Sequence, residues 1–368
     1  MTIPLRIGFI PLLDAALLVA ARDEGFAEAE GLRLDLVREV SWANIRDKLN
    51  VGLFDAAHML APAAIASTLG LGHIKVAISV PIALNLNGNA ITVSRPLYEA
   101  LAAEAATAPS QDPRASSAAL KRLIGRRAAA GQPPLTFAHT FPFSTHHYQL
   151  RTWMAAGGID PERDTNLVVI PPPLMAKSLE SGHVDGFCVG APWNATTIAA
   201  GHAMIMHHGT QIVADCPEKV LGVPTRLVDE RPETVTALVR ALAGAAGWCA
   251  DPANRAALAR LMARPEILGV APAIVEMILA GALSLGPAAP AAPDLAYIRL
   301  DPAALRPIAA QVDFLLAQMA DAGQLASPGA HRADAHRVYR PDLFECAGVT
   351  AGQTPIPQPF AARLRDGR

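Results

Sequence analysis

Charge and aromatic surface are both scarce in this chain: 17% of its 368 residues are charged and 5% are aromatic, against 51% hydrophobic. So little charge excludes a solvated, disordered chain for most of the length. The formal net charge of −2 also excludes a broad basic field of the kind that gathers nucleic acid or anionic lipid. Any anion must be held by a local site. The four cysteines, Cys188, Cys216, Cys249 and Cys346, form no CxxC pair, which argues against a zinc ribbon or a disulfide scaffold and leaves buried thiols. Long apolar runs are missing too. The stretch 15–21, closed off by Asp14 and by Arg22-Asp23, is far too short to cross a bilayer. No basic patch with an apolar core precedes residues 5–10, which already read as a strand, so the expected location is cytoplasmic, with no membrane contact.

What the chain does have is length and rhythm. Strand-like runs at 5–10, 32–37, 56–60 and 74–80 alternate with helix-like runs at 14–26, 42–51 and 62–68, a βα series. An alanine-rich region up to Gln132 reads as two surface helices joined by a loop. A second βα series follows, with strands at 135–140 and 167–170 and helices at 145–156 and 174–181. The two series share a motif. Leu49-Asn50-Val51-Gly52-Leu53-Phe54-Asp55 aligns without a gap on Leu179-Glu180-Ser181-Gly182-His183-Val184-Asp185, and the same offset sets Ala61-Pro62 on Ala191-Pro192. Each copy reads as a helix stopped by glycine, an aspartate turn, a buried strand and a proline opening the next helix. Two homologous α/β lobes follow, with the cleft between them as the default site. Helices are expected at 232–250, 251–264, 272–283 and 302–322, a proline-rich connector at 286–293, and a tail anchored on Tyr339, Phe344 and Phe360.

Catalytic and metal motifs are not apparent. Gly157-Gly158 follows a helix and lacks the lysine of a phosphate loop. His146-His147 and His207-His208 are sequence neighbours whose side chains diverge and cannot chelate one ion. No Gly-x-Ser-x-Gly elbow or paired carboxylate frame occurs, so neither a cofactor nor a metal is expected. Donors instead gather at element ends: Ser41-Trp42, Asn87-Gly88-Asn89, Ser144-Thr145-His146 and Pro217-Glu218-Lys219. Singly, each has a plain structural role as a cap, a core ring, a turn or a solvated charge. Together at cleft edges they suit an oxyanion.

Several ordered runs carry a family likeness: Leu5-Arg6-Ile7-Gly8-Phe9-Ile10-Pro11-Leu12, Ser41-Trp42-Ala43-Asn44, Leu86-Asn87-Gly88-Asn89, Thr145-His146, Gly157-Gly158-Ile159-Asp160-Pro161, Phe187-Cys188-Val189-Gly190-Ala191-Pro192-Trp193 and Pro217-Glu218-Lys219-Val220. In these the chain resembles the nitrate- and bicarbonate-binding solute receptors of ABC transporters and their cytoplasmic NasS-type relatives, which sense nitrate and nitrite. The resemblance implies a two-lobed, type II periplasmic-binding-protein-like α/β fold. It also implies that Trp42, Asn89, His146 and Lys219 face the ion and that Gly88 lets the backbone approach it. Asn89 stands where the transport receptors often carry glutamine. Lys219 favours nitrate or nitrite, because bicarbonate carries a proton and suits an acidic neighbour.

The expected organisation is residues 1–93 with 220–368 as the first lobe, helices and tail included, and 94–219 as the second, with crossovers near 91–94 and 220–225. The expected function is a cytoplasmic nitrate/nitrite sensor, not an enzyme, that sequesters an RNA-binding antiterminator of the NasT kind and frees it on ligand binding. It makes no direct nucleic-acid contact itself. An exported transport receptor is the alternative, and a biosynthetic enzyme on the same fold a further one, weakened by the lack of a carboxylate expected beside His146. Lys219→Glu is expected to abolish anion binding and leave the fold intact.

Overall fold

A computed structural model describes residues 2–72, 74–105, 108–286, 296–350 and 352–360. All of the 286–293 connector except Gly286 lies outside the described residues. In chain order the strands are β1 (Ile3–Phe9), β2 (Leu32–Arg38), β3 (Ala56–Leu60), β4 (Ile78–Ser79), β5 (Ala83–Asn87), β6 (Asn89–Ser94), β7 (Thr136–His139), β8 (Asn166–Val169), β9 (Gly186–Gly190), β10 (Ala203–His208), β11 (Val213–Ala214), β12 (Pro217–Pro224), β13 (Ile298–Arg299) and β14 (Gln358–Pro359). Among the described residues they form two main sheets. One runs β13-β5-β12-β3-β1-β2 with β4 beside β12, and the other runs β10-β6-β9-β7-β8. This is the two-lobed α/β fold.

Each sheet opens with parallel strands fed by βα units, β1 with β2 and β3, and β7 with β8 and β9. The helix Ala16–Asp23 has no polar face until its last turn, and Ala16 through Ala21 are all buried. It is therefore a core helix, packed between the first sheet and Pro232–Ala250. The second lobe closes around Trp153 and Phe137, whose rings meet nearly edge to face at 6.1 Å.

The sequence repeat is a structural repeat. Asp55 accepts from the Arg6 amide and Asp185 from the Thr136 amide, both at 2.8 Å and both across 49 residues. The aspartate amides return the bond to the carbonyls of Arg6 and Thr136, again at 2.8 Å. Before each aspartate the chain turns at a left-handed glycine, Gly52 (φ 77°) and Gly182 (φ 69°), as no β-carbon would permit without strain.

The chain crosses between sheets earlier than the joints expected at 91–94 and 220–225. The outward crossing is Gly88 (φ 97°), between β5 and β6, and the return occupies the stretch between β10 and β12. Residues 89–94 and 217–224 are apolar enough for either sheet, and composition does not say which one a buried run joins. Asn87 (φ 63°) stitches the crossings together: its Oδ1 accepts from the Cys216 amide at 2.9 Å, and its own amide donates to the Cys216 carbonyl at 2.8 Å.

Two other expectations shift. The strand expected at 74–80 shortens to Ile78–Ser79, and the helix at 302–322 splits into a 3-10 turn, Pro302–Ala304, and Ala309–Asp321, because Pro307 cannot supply an interior helical N–H. The tail anchors as expected, with Tyr339, Phe344 and Phe360 buried and β14 paired to β11. If the repeat is a folding constraint, Asp185→Ala will lower unfolding free energy by about 1–2 kcal/mol, read as a lower urea midpoint at constant slope. An unchanged midpoint would show the turn to be ornamental.

Candidate functional site

Where the two sheets face each other, the chain buries an ammonium group among carboxylates. Lys219 on β12 is fully buried, its Nζ 2.8 Å from Asp14 Oδ2 and 2.6 Å from Glu218 Oε1. Consecutive strand residues normally point to opposite faces. Here the register of β12 against β5 slips on both sides of Lys219, and this irregularity lets Glu218 and Lys219 share one side. Asp14 comes from the 3-10 turn Leu13–Ala15, and its Oδ1 lies 2.9 Å from His58 Nε2 on β3.

The second lobe supplies Asn89 and His146. Asn89, first residue of β6, donates through Nδ2 to Glu218 Oε2 at 2.8 Å and to Thr145 Oγ1 at 3.3 Å. His146 is the second residue of the helix Thr145–Ala156, whose N-cap Ser144 accepts from the His147 amide at 3.2 Å. Thr140 Oγ1 lies 3.0 Å from His146 Nδ1, and Nε2 lies 3.4 Å from Glu218 Oε1 without a hydrogen bond. Trp42 opens the helix Trp42–Asn50 behind its N-cap Ser41. Its ring centroid is 5.5 Å from Lys219 Nζ and 5.3 Å from the His58 ring, and its indole N–H is buried with no hydrogen-bond partner.

Four of the five expected residues therefore meet. Gly88 lies on the crossing, where its amide is donated to the Tyr297 carbonyl at 2.6 Å and its carbonyl accepts from Ala191 at 3.1 Å. Both its backbone groups are committed to joining the lobes. Asp14, His58 and Glu218 were not foreseen, and the expectation that His146 has no carboxylate beside it fails at Glu218. The paired histidines are otherwise engaged: His147 stacks on His139 at 4.3 Å, and His207 Nε2 lies 2.6 Å from Ser116 Oγ.

Burial and charge oppose each other here. Burial would raise the Asp14 carboxyl, but Lys219 and His58 together outweigh it and hold Asp14 at about 2. Burial would lower Lys219, and Asp14 with Glu218 reverses this, so the ammonium is reinforced. For Glu218, burial prevails over Lys219 and the carboxyl is raised. His146 is driven by burial, then by Lys219, well below its usual range. It is neutral, and in the tautomer in which the Thr140 hydroxyl donates to Nδ1 the proton sits on Nε2, facing the cluster. In that tautomer Trp42 and His146 present two buried N–H groups beside a fixed ammonium, an arrangement suited to an acceptor-only ligand. A surface groove of about 530 Å³, lined in part by Arg114, Arg151 and Phe360, contains none of these residues.

The same geometry opposes the expectation that Lys219→Glu leaves the fold intact, since it would confine three carboxyl groups where one cation now stands. Even Lys219→Met leaves Asp14 and Glu218 buried without their counter-ion. It is expected to cost about 3–5 kcal/mol of stability, measured by urea unfolding without ligand. A variant as stable as the parent would mean that the ion cluster does not brace the lobes.

Comparison with known proteins follows this geometry. The backbone superposes on the crystal structure of the periplasmic nitrate-binding protein NrtA from Synechocystis PCC 6803 with a TM-score of 0.88 at 25% identity, covering 98% of this chain and 94% of that one. The nitrate/nitrite binding protein NrtA of Synechococcus elongatus is 33% identical over 76% of this chain and 62% of its own length. The bicarbonate transport ATP-binding protein CmpC of Synechocystis is 36% identical over 72% of this chain and 38% of its own. The chain thus spans less than two thirds of the length of each of these curated relatives. The sequence profile of the NMT1-like family matches residues 2–263, and the chain belongs to that family, with the two-lobed fold of its solute-binding members.

Proposed function

We propose that this chain binds nitrate or nitrite in the cleft, held by Lys219, Trp42, His146 and Asn89, and that it works in the cytoplasm as a sensor. The observation that carries the ligand reading is the pair of buried, unpartnered ring nitrogens, Trp42 Nε1 and His146 Nε2, beside the buried Lys219 ammonium. Nitrate offers oxygens that only accept, and three donors of this kind match it. The names of the NrtA relatives point the same way. Reading the site as one that binds is supported by the relatives, whose names are those of binding proteins.

The sensor reading rests on the NasS-type resemblance and on linkage. Trp42 and Lys219 belong to one lobe, Asn89 and His146 to the other, so an ion held by all four favours the closed arrangement. A partner that prefers the open lobes, such as a NasT-like RNA-binding antiterminator, is then released by ligand. Switching it from mostly bound to mostly free needs a preference of about 100-fold, near 3 kcal/mol, within reach of charge-assisted bonds. The second reading, a receptor feeding an ABC transporter, is favoured by the transport names of the relatives, and Glu218 beside Lys219 is the feature that would suit bicarbonate.

Calorimetric titration with nitrate, nitrite and bicarbonate separates the ligands. Trp42→Phe keeps the ring and removes the N–H, and is expected to weaken nitrate binding about 10- to 150-fold, the worth of a hydrogen bond to a charged group. Unchanged affinity would remove Trp42 from the site. Co-expression with a NasT-like protein, followed by size-exclusion chromatography, tests the sensor: the pair should co-elute in nitrate-free buffer and separate when nitrate is added. Co-elution indifferent to nitrate, or native protein found outside the cytoplasm, would leave the transport reading.

A further inference from the structure

Glu218 has no part in the anion site just described, yet it sits on that site's donors. Its Oε1 is 2.6 Å from Lys219 Nζ and 3.4 Å from His146 Nε2, while Oε2 accepts from Asn89 Nδ2 at 2.8 Å. A carboxylate is planar, anionic and acceptor-only, as nitrate is. The protein therefore places an internal likeness of the ligand on two of the four groups assigned to the ligand, Lys219 and Asn89, and close beside a third, His146.

We propose that Glu218 is a built-in competitor for the oxyanion's donors, and that nitrate or nitrite binds together with one proton, which Glu218 takes up from solvent as its carboxylate gives way. The inference rests on the anion-binding reading and adds its regulation by pH.

The charge count leads there. With Glu218 ionised, Asp14, Glu218 and Lys219 sum to one net negative charge in a fully buried set, and a monovalent anion would double it away from solvent screening. With Glu218 protonated the set is neutral, Lys219 is free to face the anion, and the new carboxylic O–H can itself donate.

The proton has no other evident place to go. The turn Leu13–Ala15 contributes Asp14, held ionised by Lys219 and His58 against its burial. From β3, His58 is kept neutral by burial, as is His146 on the facing helix. Cys188 on β9, Cys216 ahead of β12 and Tyr297 beside β13 are each pushed upward by burial and stay protonated. Lys219 is reinforced as a cation. Glu218 remains, its carboxyl already raised by burial, and a bound anion raises it further.

The sign of the pH effect follows. The Glu218 pKa is higher in the complex than in the free protein, so affinity is greatest below the free value. It falls by up to about tenfold per pH unit between the two values and levels off above the bound one.

The test is nitrate calorimetry on the whole chain, near neutral pH, in buffers of different ionisation enthalpy. The expected result is uptake of about one proton per nitrate and a dissociation constant that rises with pH. In Glu218→Gln, a neutral likeness of the protonated acid, uptake should vanish and the pH profile flatten. At about pH 8.5 that variant should bind nitrate at least about tenfold more tightly than the parent. Nitrate binding by the parent without proton uptake, or a pH slope that persists in Glu218→Gln, overturns the proposal and leaves the anion site standing. Should the variant fail to fold, the parent's proton count decides alone. If neither protein binds nitrate or nitrite even at about pH 5.5, the anion-binding reading falls, and this one with it.

Discussion

The Lys219 ammonium is the charge on which the interior depends. Asp14, from a turn of the first lobe, and Glu218, its own chain neighbour, are both withdrawn from water, and an unpaired buried carboxylate is among the costliest arrangements a protein can hold. One cation placed between them makes both tolerable, and Asn89 completes Glu218 from the opposite lobe. The lobes are further tied by the Leu13 amide on the Ala191 carbonyl at 2.9 Å and the Trp193 indole on the Pro11 carbonyl at 3.0 Å. Closure and charge neutralisation are therefore one arrangement.

Much of this was legible in the sequence, and the parts that were not share a cause. Period and punctuation located the βα series, and the gapless match of Gly52 and Asp55 to Gly182 and Asp185 announced the duplication, because that turn needs a left-handed glycine and a short acceptor at fixed spacing. Trp42, Asn89, His146 and Lys219 stood out through family likeness and their positions at element ends. Asp14 lay at the edge of an apolar run and read as its boundary, and His58 lay within the short strand expected at 56–60 and was given no role. Glu218 was quoted beside Lys219 at an element end and given no role of its own. In each case the missing information was a neighbour distant in sequence, or a local break in register, and neither leaves a mark in composition or period.

The duplication did not duplicate the chemistry. Asp55 and Asp185 hold equivalent backbone turns, but the side chains at matching positions differ: Trp42 opens a helix where the second copy has the proline turn Pro172–Leu174 ahead of its helix Met175–Glu180. The repeat builds two similar frames, and the late strand β12 brings the decisive charges to one of them. That strand runs antiparallel between β3 and β5, so it reaches the cleft only because the chain returns from the second lobe before finishing the first.

The irregularity in β12 has a consequence for how such a site can change its taste. Two adjacent side chains of opposite sign reach the same space only because the strand is out of step around Lys219. Were the slip removed by the loss of a single residue, the pleat would turn Glu218 away and leave the lysine with Asp14 alone. The net charge of the buried cluster would then alter without the exchange of any of its residues. In this architecture chain length at one bulge is as strong a chemical variable as side-chain identity, and a comparison that aligns residues while ignoring the slip would mistake one charge cluster for another.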